Sequence, residues 1–349
     1  MYKKLLPILL LFFFLSACTD DERVEYPLQR QSSITLLVSV NALGDNGYND
    51  CAVEGIFSFA AQTGTPMRLL QPNDEMEAER MYRQWLADNE TADSSVLVVG
   101  SSAYEKMISE IPTNLKGKGS RVLLFESGVD DLPDRVSSLM IDRYGVSYLA
   151  GAMSGEFDAL VMAAVQGYPE LETAIRGFCD GHAAHCTDGY SVEVMYLADD
   201  ERGFAMPDSA YRAAASYDNI GNGQGIMVFP LLGGSEMGLL RYMNDNEFMP
   251  SLLIGMDVDQ TGQSNRIPFS VVIRIGDVVK RYLNDWANGL DWPKSQIWGM
   301  KDGATDVALT PDFFDRLDLW DWRYEEPDAF RILYERYRDD AIEKEEENG

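Results

Sequence analysis

Short apolar runs alternate with segments of helical periodicity from residue 34 onward. Runs rich in Val, Leu and Ile, which are typical of buried strands, lie at residues 34–40, 67–70, 96–99 and 122–125. Between them apolar residues recur at intervals of three and four, as at 104–111, where they form one face of a helix. Strands of this kind separated by helices predict a parallel sheet that is covered by helices on both faces.

A second series of the same kind begins after a strand predicted at residues 138–141. The chain ends in an amphipathic helix that has Phe330, Leu333 and Tyr337 on one side. The pattern therefore predicts two α/β units in tandem. The later strands of the second series are expected at residues 160–165, 192–197, 226–229, 252–256 and 271–273.

The N-terminus has the pattern of a lipoprotein signal peptide. Two lysines precede an apolar run at residues 5–15, which is too short to span a bilayer. The motif LSAC follows and resembles the lipobox of bacterial lipoproteins, with an ordinary cleaved signal as the alternative. We expect removal of residues 1–17, acylation of Cys18 by fatty acids such as palmitate, and a polar tether at 18–33. No transmembrane helix is expected elsewhere.

Charge and cysteine content limit the possible partners and the fold. The chain has 29 Lys and Arg against 57 Asp and Glu, a formal net charge of −28. Such a surface repels phosphate backbones, so nucleic acid is not an expected partner. With Cys18 committed to lipid, an odd number of cysteines remains, which argues against a fold built on disulfides.

Catalytic and metal-binding motifs are few. Both histidines lie in CDGHAAHC, residues 179–186, where four ligands are too crowded to surround one tetrahedral ion, so the end of a helix is the preferred interpretation. Pairing of Cys179 with Cys186 is left open. GGSEMG, residues 233–238, lacks the spacing of a GxSxG nucleophile elbow, and the first strand–helix turn lacks GxGxxG. We predict no enzymatic activity, no catalytic residue, no cofactor and no metal.

Three loops at the ends of predicted strands suit a small polar ligand, because ligands of parallel sheets bind beyond the carboxyl ends of the strands. Gly233 and Gly234 permit close approach of the backbone, and Tyr48 offers a flat face for stacking. Asp257 can accept two hydroxyl hydrogen bonds. A plain turn is the alternative for each loop. The loops are GDNGYND at 44–50, PLLGGSE at 230–236 and DVDQ at 257–260.

Four segments resemble the basic membrane protein family of substrate-binding lipoproteins, which includes purine nucleoside receptors. They occur in the family's order along most of the chain, and the third is the most specific. The segments are ITLLVSVNALGDNGYNDCAVEGI at 34–56, VSYLAGAMSG at 146–155, LLIGMDVDQ at 252–260 and WGMKDGATDVAL at 298–309.

The resemblance implies an α/β fold of the type I periplasmic-binding-protein class, with two doubly wound parallel-sheet lobes joined by a hinge of crossing strands. The crossing strands would lie near 138–142, 271–275 and 296–299. The implied divisions are an N-terminal lobe of 34–140 plus 275–298, a C-terminal lobe of 141–274 plus 299–340, and a frayed tail at 341–349.

The resemblance also implies roles for the loop residues. Tyr48 would stack on a nucleobase, and Asp257 would hold the ribose hydroxyls. The family usually has a lysine where this chain has Ile273, and the adjacent Arg274 would point to the opposite face of the strand. The residues expected to contact the ligand are Asp45, Tyr48, Asn49, Gly233, Gly234 and Asp257.

The sequence therefore predicts a monomeric solute-binding protein that is anchored by lipid to a bacterial membrane, on its periplasmic side or at the cell surface. It would capture a nucleoside or a similar small molecule for the permease of an ABC-type importer. The alternative is a surface-exposed sensor or capture protein with the same fold and a non-nucleoside ligand, which the acidic run DDE at 20–22 favours.

Overall fold

A computed structural model describes most of the chain beyond the predicted tether. The predicted signal peptide and the predicted acylation site, Cys18, lie outside the described residues. Among the residues described, no helix is both long enough and apolar enough to cross a bilayer. The structure describes residues 32–40, 43–44, 47–129, 131–186, 189–217, 220, 225–246, 250–311, 313 and 328–348.

Six parallel strands form the sheet of the first lobe, as the alternating pattern predicts. They are β1 (Ser33–Leu37), β2 (Met67–Leu70), β3 (Ser95–Val99), β4 (Arg121–Phe125), β5 (Val136–Ile141) and β12 (Ser295–Trp298). Their order is β12-β5-β4-β3-β1-β2. The helices of this lobe are α1 (Tyr48–Thr63), α2 (Glu75–Asn89), α3 (Glu105–Glu110) and α8 (Ile275–Ala287).

The second lobe contains a parallel four-stranded sheet and a smaller three-stranded sheet. The first has the order β7 (Val192–Ala198), β6 (Ala159–Val165), β8 (Met227–Leu231) and β9 (Leu252–Leu253). The second consists of β10 (Gly255–Asp257), β11 (Phe269–Ile273) and the antiparallel β13 (Thr305–Leu309). The helices are α4 (Tyr144–Met153), α5 (Pro169–His185), α6 (Pro207–Ser216), α7 (Glu236–Asp245) and α9 (Ala329–Asn348).

Three connections join the lobes and form the hinge. The chain passes from β5 to α4 through 142–143, from β11 to α8 through Arg274, and from β12 to β13 through 299–304. The strand predicted at 252–256 is divided at Ile254, so that β9 pairs with β8 and β10 pairs with β11. This division places Asp257, the last residue of β10, beside the hinge strand β11.

The end of the chain differs from the sequence-based expectation. Residues 341–349 were expected to fray, but α9 continues to Asn348, and both Ala341 and Glu345 are buried. The Glu345 carboxylate accepts the backbone N–H of Met300, with Oε2 at 2.9 Å, and thereby fixes the last turn against the hinge connection 299–304. Because the tail is mostly acidic, its sequence does not indicate that Glu345 is buried.

The CDGHAAHC segment is the end of α5. His182 is buried, with its Nε2 2.7 Å from the carbonyl oxygen of Phe157, and His185 contacts Asp340 of α9. Cys179 and Cys186 are free thiols. Within the described residues no group of His, Cys, Asp and Glu side chains is arranged to hold a metal ion. The segment therefore packs between helices and is less exposed than a surface helix end.

Gly181, in the middle of that segment, lies where α5 crosses α4. A Cβ atom there would lie 2.0 Å from the carbonyl oxygen of Tyr148. We expect Gly181→Ala to lower the free energy of unfolding by about 1–3 kcal/mol, because two backbones must separate to admit one methyl group. Urea unfolding measures this loss. Gly262→Ala, where a Cβ would meet no atom within 4 Å, is the control, and equal stability of both variants would contradict the expectation.

Candidate ligand-binding site

The two lobes meet at the carboxyl ends of the strands of the first sheet. Gly47 precedes α1 in the first lobe, and Asp257 ends β10 in the second. A Cβ atom on Gly47 would lie 3.0 Å from Oδ2 of Asp257, so the two lobes are in direct contact here. The first loop and the DVDQ loop, which lie far apart in the sequence, thus face each other where the lobes meet.

Tyr48 lies at the first position of α1, within this contact. Its ring packs against the apolar cluster of the first lobe and, with Asn49, borders a small apolar cavity. The guanidinium carbon of Arg143 lies 5.6 Å from the ring centroid, which is a cation–π distance. Burial, and next the Glu126 carboxylate, raise the pKa of Tyr48 well above its ordinary value. The buried hydroxyl therefore stays protonated.

Glu126 and Arg143 form a bidentate ion pair at the hinge. Glu126 follows β4 in the first lobe, and Arg143 lies in the first hinge connection. The guanidinium donates to both carboxylate oxygens, at 2.8 and 2.9 Å, and to the carbonyl oxygen of Ile141 at 3.0 Å. Although burial opposes the charge of Arg143, Glu126 raises its pKa and the guanidinium stays charged. This buried pair links the first sheet to the hinge.

A second group of polar side chains lies around Asp257 in the second lobe. Glu236 begins α7 and is 6% exposed, and Gln260 in the DVDQ loop is 5% exposed. Gln260 donates from Nε2 to the carbonyl oxygen of Met256 at 3.1 Å. Oε1 of Glu236 and Oε1 of Gln260 make no hydrogen bond of ordinary geometry with the described residues, although the Gln260 side chain interacts with the Glu236 carboxyl group and opposes part of the rise in its pKa. Burial, and next Asp257, raise the pKa of Glu236 well above its ordinary value.

Gly233 and Gly234 lie shortly before Glu236 in the chain and pack against Phe204. Gly233 has a φ of +52°, and a Cβ there would lie 3.1 Å from the ring of Phe204. A Cβ on Gly234 would lie 3.2 Å from the carbonyl oxygen of the same Phe204. The two glycines therefore allow a tight turn against Phe204 shortly before Glu236 in the chain.

Two residues of the cleft have backbone angles that side chains rarely adopt. Glu126 has a φ of 58° and Asp257 a φ of 65°, in the left-handed region that favours glycine. Each such residue costs on the order of 1–3 kcal/mol and occurs mainly where function constrains the backbone. Glu126 in the first lobe and Asp257 in the second thus both have an unfavourable backbone conformation where the lobes meet.

Some of the residues predicted to contact a ligand lie at this contact between the lobes. Tyr48, Asn49 and Asp257 lie at the contact between lobes, whereas Asp45 lies outside the described residues. Ile273, at the position of the family's lysine, is buried in the apolar core of the first lobe, and Arg143 brings a cation into the cleft from the hinge instead. The residues that sequence reasoning missed are Glu126, Arg143, Glu236 and Gln260.

A signal for most of the missed residues was present in the sequence. Glu126 directly follows a predicted strand, which is the position that marks ligand-binding residues in parallel sheets. Glu236 and Gln260 ended two of the three loops that were singled out. For Arg143 no local signal exists, because its role depends on a side chain that reaches back from the hinge to Glu126 and Tyr48.

Solved structures with a similar fold include an ABC transporter system solute-binding protein from Aeropyrum pernix K1, at 16% identity and a TM-score of 0.67, covering 90% of this chain and 89% of that one. A transcriptional activator of the comK gene from Bacillus halodurans has 17% identity and a TM-score of 0.62, covering 89% and 97%. A sugar ABC transporter protein from Yersinia enterocolitica has 14% identity and a TM-score of 0.60, covering 90% and 95%.

These likenesses establish the fold, which is periplasmic-binding-protein-like with two parallel-sheet lobes and a hinge, as the sequence predicted. No protein-family model matches the sequence, and no curated protein sequence is significantly similar to it.

Proposed function

We propose that this chain is a non-enzymatic solute-binding protein whose lobes enclose one small polar ligand between Tyr48 and Asp257. The observation that carries the proposal is the contact between the lobes, where Asp257 lies beside Gly47 and the Arg143 guanidinium lies over the Tyr48 ring. Nearby, the buried oxygens Oε1 of Glu236 and Oε1 of Gln260 make no hydrogen bond of ordinary geometry with the described residues. Buried polar atoms are nearly always hydrogen-bonded in native proteins. A ligand that donates hydrogen bonds in the cleft would supply such bonds.

A nucleoside is the first candidate ligand. Tyr48 would stack on the base, a contact worth about 1–3 kcal/mol, and Asp257 would accept the ribose hydroxyls. Some structural neighbours are described as sugar-binding proteins, and a sugar would offer hydroxyl donors to the same acceptors. Both ligand classes share the polyol portion that the Asp257 side of the cleft would recognise.

The proposed cellular role follows from the N-terminal sequence. Acylation of Cys18 would anchor the chain to a membrane of the cell envelope, where the closed form would present its ligand to the permease of an ABC-type importer. A second role, as a surface sensor or capture protein, is favoured by the acidic run after Cys18.

Thermal unfolding of residues 19–349 with nucleosides, free bases and simple sugars tests the proposal. A ligand at about 100 times its dissociation constant adds about 2.7 kcal/mol, which raises the melting temperature by a few degrees. We expect a shift with nucleosides and none with free bases. A shift with sugars alone would replace the nucleoside, and no shift with any compound would contradict a solute-binding role.

We expect Asp257→Ala to weaken riboside binding about 10- to 100-fold, because charge-assisted hydrogen bonds contribute roughly 1.5–3 kcal/mol each. Binding of the free base should change less. Asp259→Ala, two residues along the same loop and exposed, is the matched control. Calorimetric titration measures both variants. Equal losses for riboside and base would remove Asp257 from the sugar.

A further inference from the structure

The last turn of α9 connects the second lobe to two of the three hinge connections. Upstream of this turn the helix is fixed to the second lobe, where Asp340 accepts a hydrogen bond from the Tyr148 hydroxyl of α4 at 2.9 Å. Glu345, in the last turn, is 6% exposed and faces the connections 142–143 and 299–304. The helix therefore reaches from the second lobe to the hinge.

Close packing surrounds the Glu345 carboxyl group. Its two oxygens accept the backbone N–H of Met300, with Oε2 at 2.9 Å and Oε1 at 3.2 Å. A Cβ atom on Gly145, at the start of α4, would lie 2.7 Å from Oε1, and a Cβ atom on Gly299 would overlap the carboxyl group. The two connections also touch each other, because the N–H of Asp142 donates to the last carbonyl oxygen of β12 at 2.8 Å. The Glu345 side chain is therefore part of the contact between these connections.

The surroundings of Glu345 favour its protonated form. Burial, and next the neighbouring carboxyl group of Asp142, raise the pKa of Glu345 to about 7. Asp302, in the connection 299–304, acts in the same direction. The backbone N–H groups of Met300 and Lys301 oppose the rise, because they bind the charged form. The carboxyl group therefore exchanges its proton near neutral pH while it is packed against the hinge.

The cations near this contact act on other carboxyl groups. Burial raises the pKa of Asp142, which is 7% exposed, and the guanidinium groups of Arg143 and Arg176 limit that rise. Lys301 pairs with an exposed carboxylate of α9 at the surface. Ionisation of Glu345 above pH 7 therefore places a second buried negative charge beside Asp142, and this charge opposes the docking of the last turn.

We propose that the last turn of α9 is a proton-controlled restraint on the hinge. With Glu345 protonated, the turn holds the connections 142–143 and 299–304 together, and with Glu345 ionised it releases them. Hinge rotation changes the backbone angles of such connections, so the lobes separate more slowly in the protonated form. The consequence for the cleft rests on the proposed function: a bound solute leaves more slowly at pH 6 than at pH 8.

Hydrogen exchange of the peptide 299–304 tests the restraint in the full chain, purified in detergent. Release of the last turn exposes Glu345 to water, where its ordinary pKa is 4.5, so the equilibrium constant for release should be about tenfold larger at pH 8 than at pH 6. The exchange rate of the Met300 N–H, corrected for the intrinsic pH dependence of exchange, should rise by the same factor. In Glu345→Gln, which keeps the shape but not the charge, the corrected rate should not change with pH.

Glu346→Gln is the matched control, because that neighbouring side chain is 52% exposed and the variant should keep the tenfold rise. A rise that persists in Glu345→Gln, or one that is lost in both variants, would overturn the assignment to Glu345. No rise in the unmodified chain would overturn the restraint itself.

The unmodified chain also provides a test that needs no variant. The peptide 299–304 should exchange faster than β3, in the middle of the first sheet, because release of one helical turn costs less free energy than global unfolding. Exchange as slow as that of β3 at both pH values would show that only global unfolding exposes the Met300 N–H, and would overturn a local restraint. Each of these outcomes leaves the solute-binding function to the separate test by thermal unfolding.

Discussion

Replacing Arg143 with alanine should lower the free energy of unfolding by about 3–5 kcal/mol, the largest stability loss that we expect from one substitution. The side chains of Arg143 and Glu126 are only 14% and 8% exposed, and removal of the guanidinium leaves a buried carboxylate without its cation. The loss also removes the cation that lies over the Tyr48 ring. Urea unfolding at neutral pH measures the difference.

An exposed ion pair provides the control for this experiment. Arg202 pairs with Asp200 with side-chain exposures of 85% and 50%, so Arg202→Ala should cost less than about 1 kcal/mol. The double variant Arg143→Ala with Glu126→Gln should recover part of the stability, because the uncompensated charge is gone. An Arg143→Ala protein as stable as Arg202→Ala would show that water reaches Glu126 and that the pair does not restrain the hinge.

The second large effect concerns Glu345 and depends on pH. Burial, and next the carboxyl group of Asp142, raise the pKa of Glu345 to about 7, above an ordinary value of 4.5. Because the folded protein holds this proton more tightly than the unfolded chain, its stabilising contribution is complete below about pH 4.5. The contribution is lost as the pH rises through 7. The change amounts to at most about 3 kcal/mol.

We therefore expect Glu345→Gln to remove a fall in stability between pH 5 and pH 8 that the unmodified chain shows. Urea unfolding at both pH values measures it. Glu346→Gln is the matched control, since that neighbouring side chain is 52% exposed and pairs with Lys301 at the surface. The same fall in stability in the Glu345 variant would assign the effect to Asp142, whose pKa burial also raises.

The fold was largely predictable from the sequence because the central strands of its sheets are buried on both faces. In such strands every residue is apolar, and Val96 to Val99 or Leu160 to Val165 cannot be mistaken for loops. Strand β13 was missed because TDVAL mixes polar and apolar residues, and its strand conformation comes from antiparallel pairing with β11. Helix α6 was missed because its face is made of small alanines, Ala210 and Ala214.

The position of a residue in the candidate site was predictable only where its place at the end of a strand or helix fixes it. Tyr48 and Asp257 lie at strand or helix ends, and the topology of a parallel sheet brings such positions to one edge. Glu236 and Arg143 depend on burial by distant segments, which no local pattern reports. Glu345 illustrates the same limit, because an acidic tail at the end of a chain gives no indication that one carboxylate will be buried against the hinge.

The position of β12 in the chain has a consequence for the order of folding. This strand completes the first sheet beside β5, yet the four-stranded sheet of the second lobe lies between them in the sequence. During synthesis from the N-terminus, the four-stranded sheet of the second lobe is therefore complete at Leu253. The six-stranded sheet of the first lobe is complete only at Trp298. The pairing of β12 with β5 is a contact of long sequence separation, and such contacts slow folding. The first sheet therefore stays one strand short, with β5 exposed at its edge, until the inserted sheet and residues 295–298 have been synthesised.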